Sequence, residues 1–364
     1  MTAAPSSPSL LQELGLSPFE PRLPWLNGDL QTLRDTLRPS DLPPDRGEPL
    51  AIPVGAEDQL LALLDQPPQP QPRGLVLLMH GLGGSSGREG LRRMGHTLQQ
   101  GGFAVLRLNM RGAGPGRHLA RGTYAANSNR DLLPVLHRAR ELAAGRPLLG
   151  MGISLGGTKL LNALLASPQE RQAAGLADQA ALLDGLVTIS SPLDLAACSR
   201  QIERPRNRVY QHWLLQRLVA QTLADPFGVE TAERTALEGR GPGGRLRTIR
   251  AFDAAITAPR WGYCSVEHYY AEASPLQKLQ SDLAAAEALP PALIVHALDD
   301  PWVPAASAGQ LAQLLEQRPD LPLQVLLTPR GGHNGFHGRG GCWGDQLTLR
   351  WFERLLAEPP AASA

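Results

Sequence analysis

Short, continuously apolar runs alternate with longer runs of helical period along most of the chain. Segments at 74–80 (GLVLLMH), 103–109 (FAVLRLN), 147–154 (PLLGMGIS), 183–190 (LDGLVTIS), 291–298 (PALIVHAL) and 321–329 (LPLQVLLTP) have strand length. Amphipathic stretches lie between them: GREGLRRMGHTLQQGG, NRDLLPVLHRARELAAG with a bend expected at Pro134, GGTKLLNALLASP, ASAGQLAQLLEQRP and DQLTLRWFERLLAE. Strands without polar alternation are buried on both faces, so the pattern predicts an α/β fold: a mostly parallel sheet flanked by helices. EPLAIPV and QLLALLD, bounded by turn signals, add an opening hairpin and bring the sheet to eight strands.

Two regions depart from this alternation. Residues 1–47 are rich in Pro and Ser and read as an N-terminal arm lying over the domain, with one short helix near Leu30–Leu37. Between about 192 and 290 the alternation stops and then resumes with a strand. Ligands in open α/β sheets bind beyond the carboxyl ends of the strands. Residues 193–289 are therefore expected to form a cap or lid, rather than a helical layer unconnected with substrate. The core is then 48–192 and 290–358, within the same domain. QPPQPQPRG (66–74) is a Pro-rich spacer.

Composition narrows the function classes. Lys+Arg 35 against Asp+Glu 34 gives a net charge of +1, and no basic block interleaves with aromatics, so nucleic acid is not an expected partner. Cys198, Cys264 and Cys342 are far apart and show no C-x-x-C, as expected of reduced thiols in a cytoplasmic protein. The N-terminal stretch lacks a basic n-region and an apolar h-region, and no run approaches the roughly 18 apolar residues of a membrane span. Peripheral membrane contact, for instance through the helix around Trp213, stays open, as does oligomeric state.

The candidate chemistry starts at Gly152-Ile153-Ser154-Leu155-Gly156, a G-x-S-x-G at a strand-to-helix junction. A serine there can be a nucleophile or merely a small residue in a tight turn. It needs a base, and the base needs an orienting acid. Downstream, HALDDPWVP places Asp299 and Asp300 after one strand, and VLLTPRGGHNGF places His333 after the next. Asp300, directly before the proline turn, is the preferred acid. Asp299 is assigned to hydrogen bonding in the turn, and Asp194 is a third option. Leu155 N–H, after the nucleophile, and Leu82 N–H, in the loop MHGLGGSSG, are the expected oxyanion donors. That loop lacks the Lys-Ser/Thr of a P-loop and the acidic residue of a dinucleotide fingerprint, so no nucleotide cofactor is expected. His333 and His337 lie in a glycine-rich loop with no H-E-x-x-H, so no metal is expected either. Arg111 reads as a structural ion-pair residue. His80, His296, Trp261, Tyr263, Tyr269 and Tyr270 read as packing, with the aromatics also available to line an acyl pocket.

With these residues in place, the chain resembles the YheT-like branch of the α/β-hydrolases, related to eukaryotic abhydrolase-domain lipases and phospholipases. The matching stretches are WLNGDLQTL (25–33), HGLGGSS, NMRGAG, GISLGG, SSPLDLAAC, FDAAITAPRWGY (252–263), HALDDPWVP and GGHNGF. The resemblance implies Ser154 as nucleophile, Asp300 as acid and His333 as base in carboxylic ester hydrolysis without a cofactor. The branch usually carries histidine where Asp29 stands and an acidic residue near Gly83 or Gly84. The expected substrate is a small-molecule or lipid ester. Acyl transfer or amide cleavage by the same residues, and non-catalytic binding of an apolar ligand, are the alternatives.

Overall fold

The computed structural model describes residues 8–176, 181–241 and 244–357. Eight strands form one sheet in the order β1-β2-β4-β3-β5-β6-β7-β8. They are β1 (Glu48–Pro53), β2 (Gln59–Asp65), β3 (Leu75–Met79), β4 (Ala104–Leu108), β5 (Leu148–Ile153), β6 (Gly185–Ile189), β7 (Ala292–Ala297) and β8 (Leu323–Thr328). The β1–β2 hairpin joins β4 antiparallel, and every pairing from β4 to β8 is parallel. All six apolar runs form strands, each trimmed by one or two residues at its ends. The fold is that of an α/β-hydrolase.

The arm contributes α1 (Pro8–Glu13) and α2 (Gly28–Leu37). Between the strands lie α3 (Glu89–Gln100), α4 (Asn129–Ala143, in which Pro134 is accommodated) and α5 (Leu155–Leu164). β3 shows why the strands carry no polar alternation. Leu75, Leu77 and Met79 enter one core layer with Leu132 and Leu136 of α4 and Leu160 of α5. Val76 and Leu78 enter the opposite layer with Leu91 and Met94 of α3 and Trp351 and Phe352 of the C-terminal helix Trp343–Ala357. With two sides to bury, both registers of the period-two pattern must be apolar.

The arm is part of the second layer, which the weak periodicity of its sequence did not announce. Leu10, Leu11 and Leu14 are buried there, and Phe19 packs edge-on against Phe336 at 5.5 Å. Asn27 caps α2 by accepting the Leu30 N–H. Arg93 of α3 then holds the arm, reaching Asp35 of α2 at 2.6 Å and Asp345 of the C-terminal helix at 2.7 Å. Burial raises the Asp35 carboxyl, but His337 and Arg93 outweigh it and hold it well below the usual carboxylate range.

Between β6 and β7 the described residues form helices joined by turns and loops, with no strand. They include Leu195–Ile202, Arg208–Leu223, Thr231–Glu238 and Val266–Glu272, and they carry a small apolar cluster of Leu215, Leu218, Leu237, Phe252 and Ile256. No helix among the described residues is long and apolar enough to cross a membrane.

Removing Arg93 would leave Asp345, whose side chain is 5% exposed, without its cation. Arg93→Ala is expected to cost about 3–5 kcal/mol in urea unfolding, and to speed proteolytic cleavage of the arm.

Candidate active site

β5 ends at Ile153 and α5 begins at Leu155, so Ser154 alone makes the turn. Its φ of 53° and ψ of −124° lie outside the regions open to ordinary L-residues. The neighbouring glycines serve close approach of helix to sheet. A Cβ on Gly152 would lie 2.3 Å from Gly157 Cα, and one on Gly156 would lie 2.5 Å from the Met79 carbonyl oxygen.

The Ser154 hydroxyl donates to His333 Nε2 at 2.9 Å, and His333 Nδ1–H donates to Asp300 Oδ2 at 2.8 Å. All three residues are buried. They sit just past β5, β7 and β8, at one edge because these strands are parallel. The other Asp300 oxygen accepts the N–H groups of Trp302 (2.8 Å) and Val303 (2.9 Å). Burial raises the Asp300 carboxyl, yet the neighbouring His333 leads the contacts that outweigh it and hold it below its ordinary value. His296 Nε2–H donates to the Val303 carbonyl at 3.1 Å, bracing this turn, and Trp302 stacks on the His333 ring at 4.5 Å. Of the other candidate acids, Asp299 accepts the Gly332 N–H at 2.8 Å, and Asp194 caps the helix Leu195–Ile202 through the Ala197 N–H.

The arm reaches this site directly. Thr32 Oγ accepts the His333 N–H at 2.9 Å and donates to the Gly28 carbonyl at 2.6 Å. The Gln31 amide donates to the carbonyls of Trp25 (2.7 Å) and His337 (3.1 Å), and its oxygen accepts the His337 N–H at 2.8 Å. Gly332 has φ +59°, and a Cβ there would meet the Gly28 carbonyl at 2.3 Å. Asp29 lies outside this contact, bonding Arg206 and Tyr210.

Facing the His333 loop is the loop after β3. His80 Nδ1–H donates to the Gly81 carbonyl at 2.8 Å while Nε2 accepts the Met110 N–H at 3.2 Å, which fixes a neutral tautomer. The Gly83 N–H donates to the Tyr124 hydroxyl at 2.7 Å and the Gly84 N–H to the Gly81 carbonyl at 3.1 Å. Leu82 N–H has no partner among the described residues, and Leu155 N–H, in the first turn of α5, has no acceptor within its helix.

Two spaces open from Ser154. The inner one runs beneath the β6–β7 insertion and is mostly apolar, with Leu195, Leu214, Leu218, Phe252, Tyr269 and Tyr270 among its walls. The outer one passes Arg88 and Trp213. Leu82, Ser154, Trp302 and His333 border both. Trp261 and Tyr263 do not line the inner cavity, and the Trp261 indole N–H donates to the Thr123 carbonyl at 2.9 Å. Arg111 pairs with Asp131 (2.7 Å) and Asp58 (2.5 Å), and the three cysteines are free. His337 lies 2.9 Å from Asp35, and no metal-ligand cluster exists among the described residues. The sequence did not single out Thr32, Gln31, Tyr124, Trp302 or Asp253, the last on the inner cavity wall. The signal available was that WLNGDLQTL, FDAAITAPRWGY and HALDDPWVP, which hold four of them, carried the resemblance.

A family model described as serine aminopeptidase, S33, matches residues 70–337. Mouse "Phospholipase ABHD3" is 30% identical over 278 residues, covering 76% of this chain and 61% of the mouse protein. The chain thus spans about three fifths of the ABHD3 relatives it matches. Escherichia coli "Putative esterase YheT" is 30% identical over 283 residues, covering 76% of this chain and 75% of that protein. Among solved structures, Pyrococcus horikoshii acylaminoacyl peptidase shares the fold at a TM-score of 0.54 and 14% identity, over 89% of this chain and 44% of its own. The chain belongs to the serine aminopeptidase S33 family of α/β-hydrolases, as a YheT-like member related to the ABHD proteins.

Proposed function

We propose that the chain cleaves carboxylic esters, with Ser154 as nucleophile, His333 as general base and acid, and Asp300 as the group that orients the imidazole. The continuous Ser154–His333–Asp300 hydrogen-bond chain, beside a mostly apolar cavity, carries this reading. The names of the relatives, an esterase and a phospholipase, support ester chemistry.

In the first half-reaction Ser154 Oγ bonds to the ester carbonyl carbon as His333 Nε2 takes the hydroxyl proton. The carbonyl oxygen becomes an oxyanion, held by the N–H groups of Leu82 and Leu155. The carbon–oxygen bond to the alcohol then breaks, and His333 returns the proton to the leaving oxygen. Water repeats the sequence on the acyl-enzyme and releases the acid. Asp300 supports the imidazolium without taking its proton. The acyl chain occupies the inner cavity and the alcohol the outer space, because the inner walls are the more apolar of the two. Residues 193–289 act as the cap over the acyl group.

His80 keeps the oxyanion loop in register. Burial lowers its pKa from 6.5 to about 4, so the clamp is neutral during turnover.

Ser154→Ala is expected to lower hydrolysis of p-nitrophenyl esters by about 10⁴-fold or more and to abolish labelling by a fluorophosphonate probe. Unchanged activity, or cleavage of amides but not of matched esters, would sink the assignment. Thr32→Val removes a hydrogen bond that positions His333, and is expected to lower kcat about 10-fold with KM little changed. The folded His80 pKa lies below its unfolded value, so the unfolded chain binds the extra proton between pH 6.5 and about 4. Stability is therefore full above that window and is lost as pH falls through it, by about 3 kcal/mol. Urea melts at stepped pH should show this slope, and His80→Gln should remove the His80 share of it, leaving the same-signed contributions of the buried His296 and His337.

A further inference from the structure

The walls of the inner cavity are mostly apolar in surface, with hydroxyls and an amide from Ser199, Gln221, Thr222 and Thr257 among them, and Asp253 is the one carboxylate among the lining residues. It begins a π-helical turn, Asp253–Thr257, set between the short helices Ile249–Phe252 and Ala258–Arg260. Such turns break the regular ladder, are costly, and recur where a side chain has to be aimed. The Tyr270 hydroxyl donates to Asp253 Oδ2 at 2.8 Å, and Thr257 supplies a second hydrogen bond. Asp253 is itself only partly buried, and it lines the cavity between the buried rings of Phe252 and Tyr270.

Among the described residues no cation pairs with this group. Arg250, one turn away, is engaged with Glu267, and Asp253 takes part in no ion pair among the described residues. Burial holds its carboxyl up at about 6, which leaves it mostly ionised at neutral pH. Tying down Tyr270 needs only a neutral acceptor, and a desolvated, partly buried carboxylate without a cation is a costly way to supply one. The ester mechanism proposed above makes no use of it.

We propose that Asp253 is a specificity-determining residue that accepts a hydrogen bond from a hydroxyl on the acyl chain of the substrate. This rests on the ester-hydrolase reading and on the acyl group occupying the inner cavity. A hydroxyl fits the surroundings better than an ammonium. Leu214, Leu218 and Phe252 line the same space, and stripping water from a cation there costs several kcal/mol. A hydroxyl loses less on entry, and an ionised acceptor gives it a strong bond. The rest of the chain remains in apolar contact.

The test compares p-nitrophenyl octanoate with hydroxyoctanoates in which the hydroxyl moves carbon by carbon along the chain. At the matching position, kcat/KM should exceed that of plain octanoate by about 10-fold or more. Asp253→Leu should remove that excess and Asp253→Asn, which keeps an acceptor for Tyr270, should reduce it several-fold. Equal kcat/KM at every position, or an excess that survives Asp253→Leu, overturns the assignment. If Asp253→Leu fails to fold by thermal melting, Asp253→Asn decides, and an undiminished excess there overturns it. Fluorophosphonate labelling in the same samples separates the two readings. Unlabelled Ser154 sinks the hydrolase reading itself, whereas labelled Ser154 without hydroxyl preference sinks only the role of Asp253.

Discussion

The 2.9 Å contact between His333 and Ser154 joins positions 179 residues apart, and the surrounding structure keeps that distance. The decisive hydrogen bonds are the last rungs of the sheet. Ser154 N–H donates to the Ile189 carbonyl at 2.8 Å, Ser190 N–H to that of Val295 at 2.9 Å, and Leu298 N–H to that of Thr328 at 2.8 Å. These rungs run across β5, β6, β7 and β8 and set the loops beyond them level. Slipping any strand by one residue would move its loop by roughly 3.3 Å, more than a hydrogen bond tolerates. The strained backbone at Ser154, costing on the order of 1–3 kcal/mol, persists because α5 behind it is buried along its whole length.

Charge does the finer positioning. Arg107, 3% exposed, binds Asp65 of β2, Asp45 of the arm and the Ser86 carbonyl, fixing the far end of the loop that carries Leu82. Arg111 fastens the loop after β4, whose Met110 N–H engages His80. Buried ion pairs of this kind add little net stability compared with apolar packing. They do select one arrangement among several of similar compactness.

The parts of this structure visible in the sequence are those encoded locally. A strand buried on both faces leaves a continuous apolar run, and a strand-to-helix turn around serine requires its glycines, so β3 to β8 and the Ser154 turn could be read directly. Asp300 and His333 were legible as residues just past strands, but their distances were not. The contacts of Thr32 and Gln31 span 301 to 306 residues and leave no trace in a single chain. α1 was missed because six residues are too few for a period to emerge. Between β6 and β7, short helices of mixed polarity obscured which aromatics line the cavity. Tyr269 and Tyr270 do, and Trp261 and Tyr263 do not.

The dependence of the His333 loop on α2 also bears on the order in which the protein is made. Synthesis produces Gln31 and Thr32 early and their partners at His333 and His337 near the end. During elongation α1 and α2 can already meet β3 and α3, but the His333 loop that Thr32 and Gln31 hold has not yet been translated. The contacts of the arm with the last loops can form only once β8 and the His333 loop exist, and the Ser154–His333–Asp300 hydrogen-bond chain is completed by the same segment.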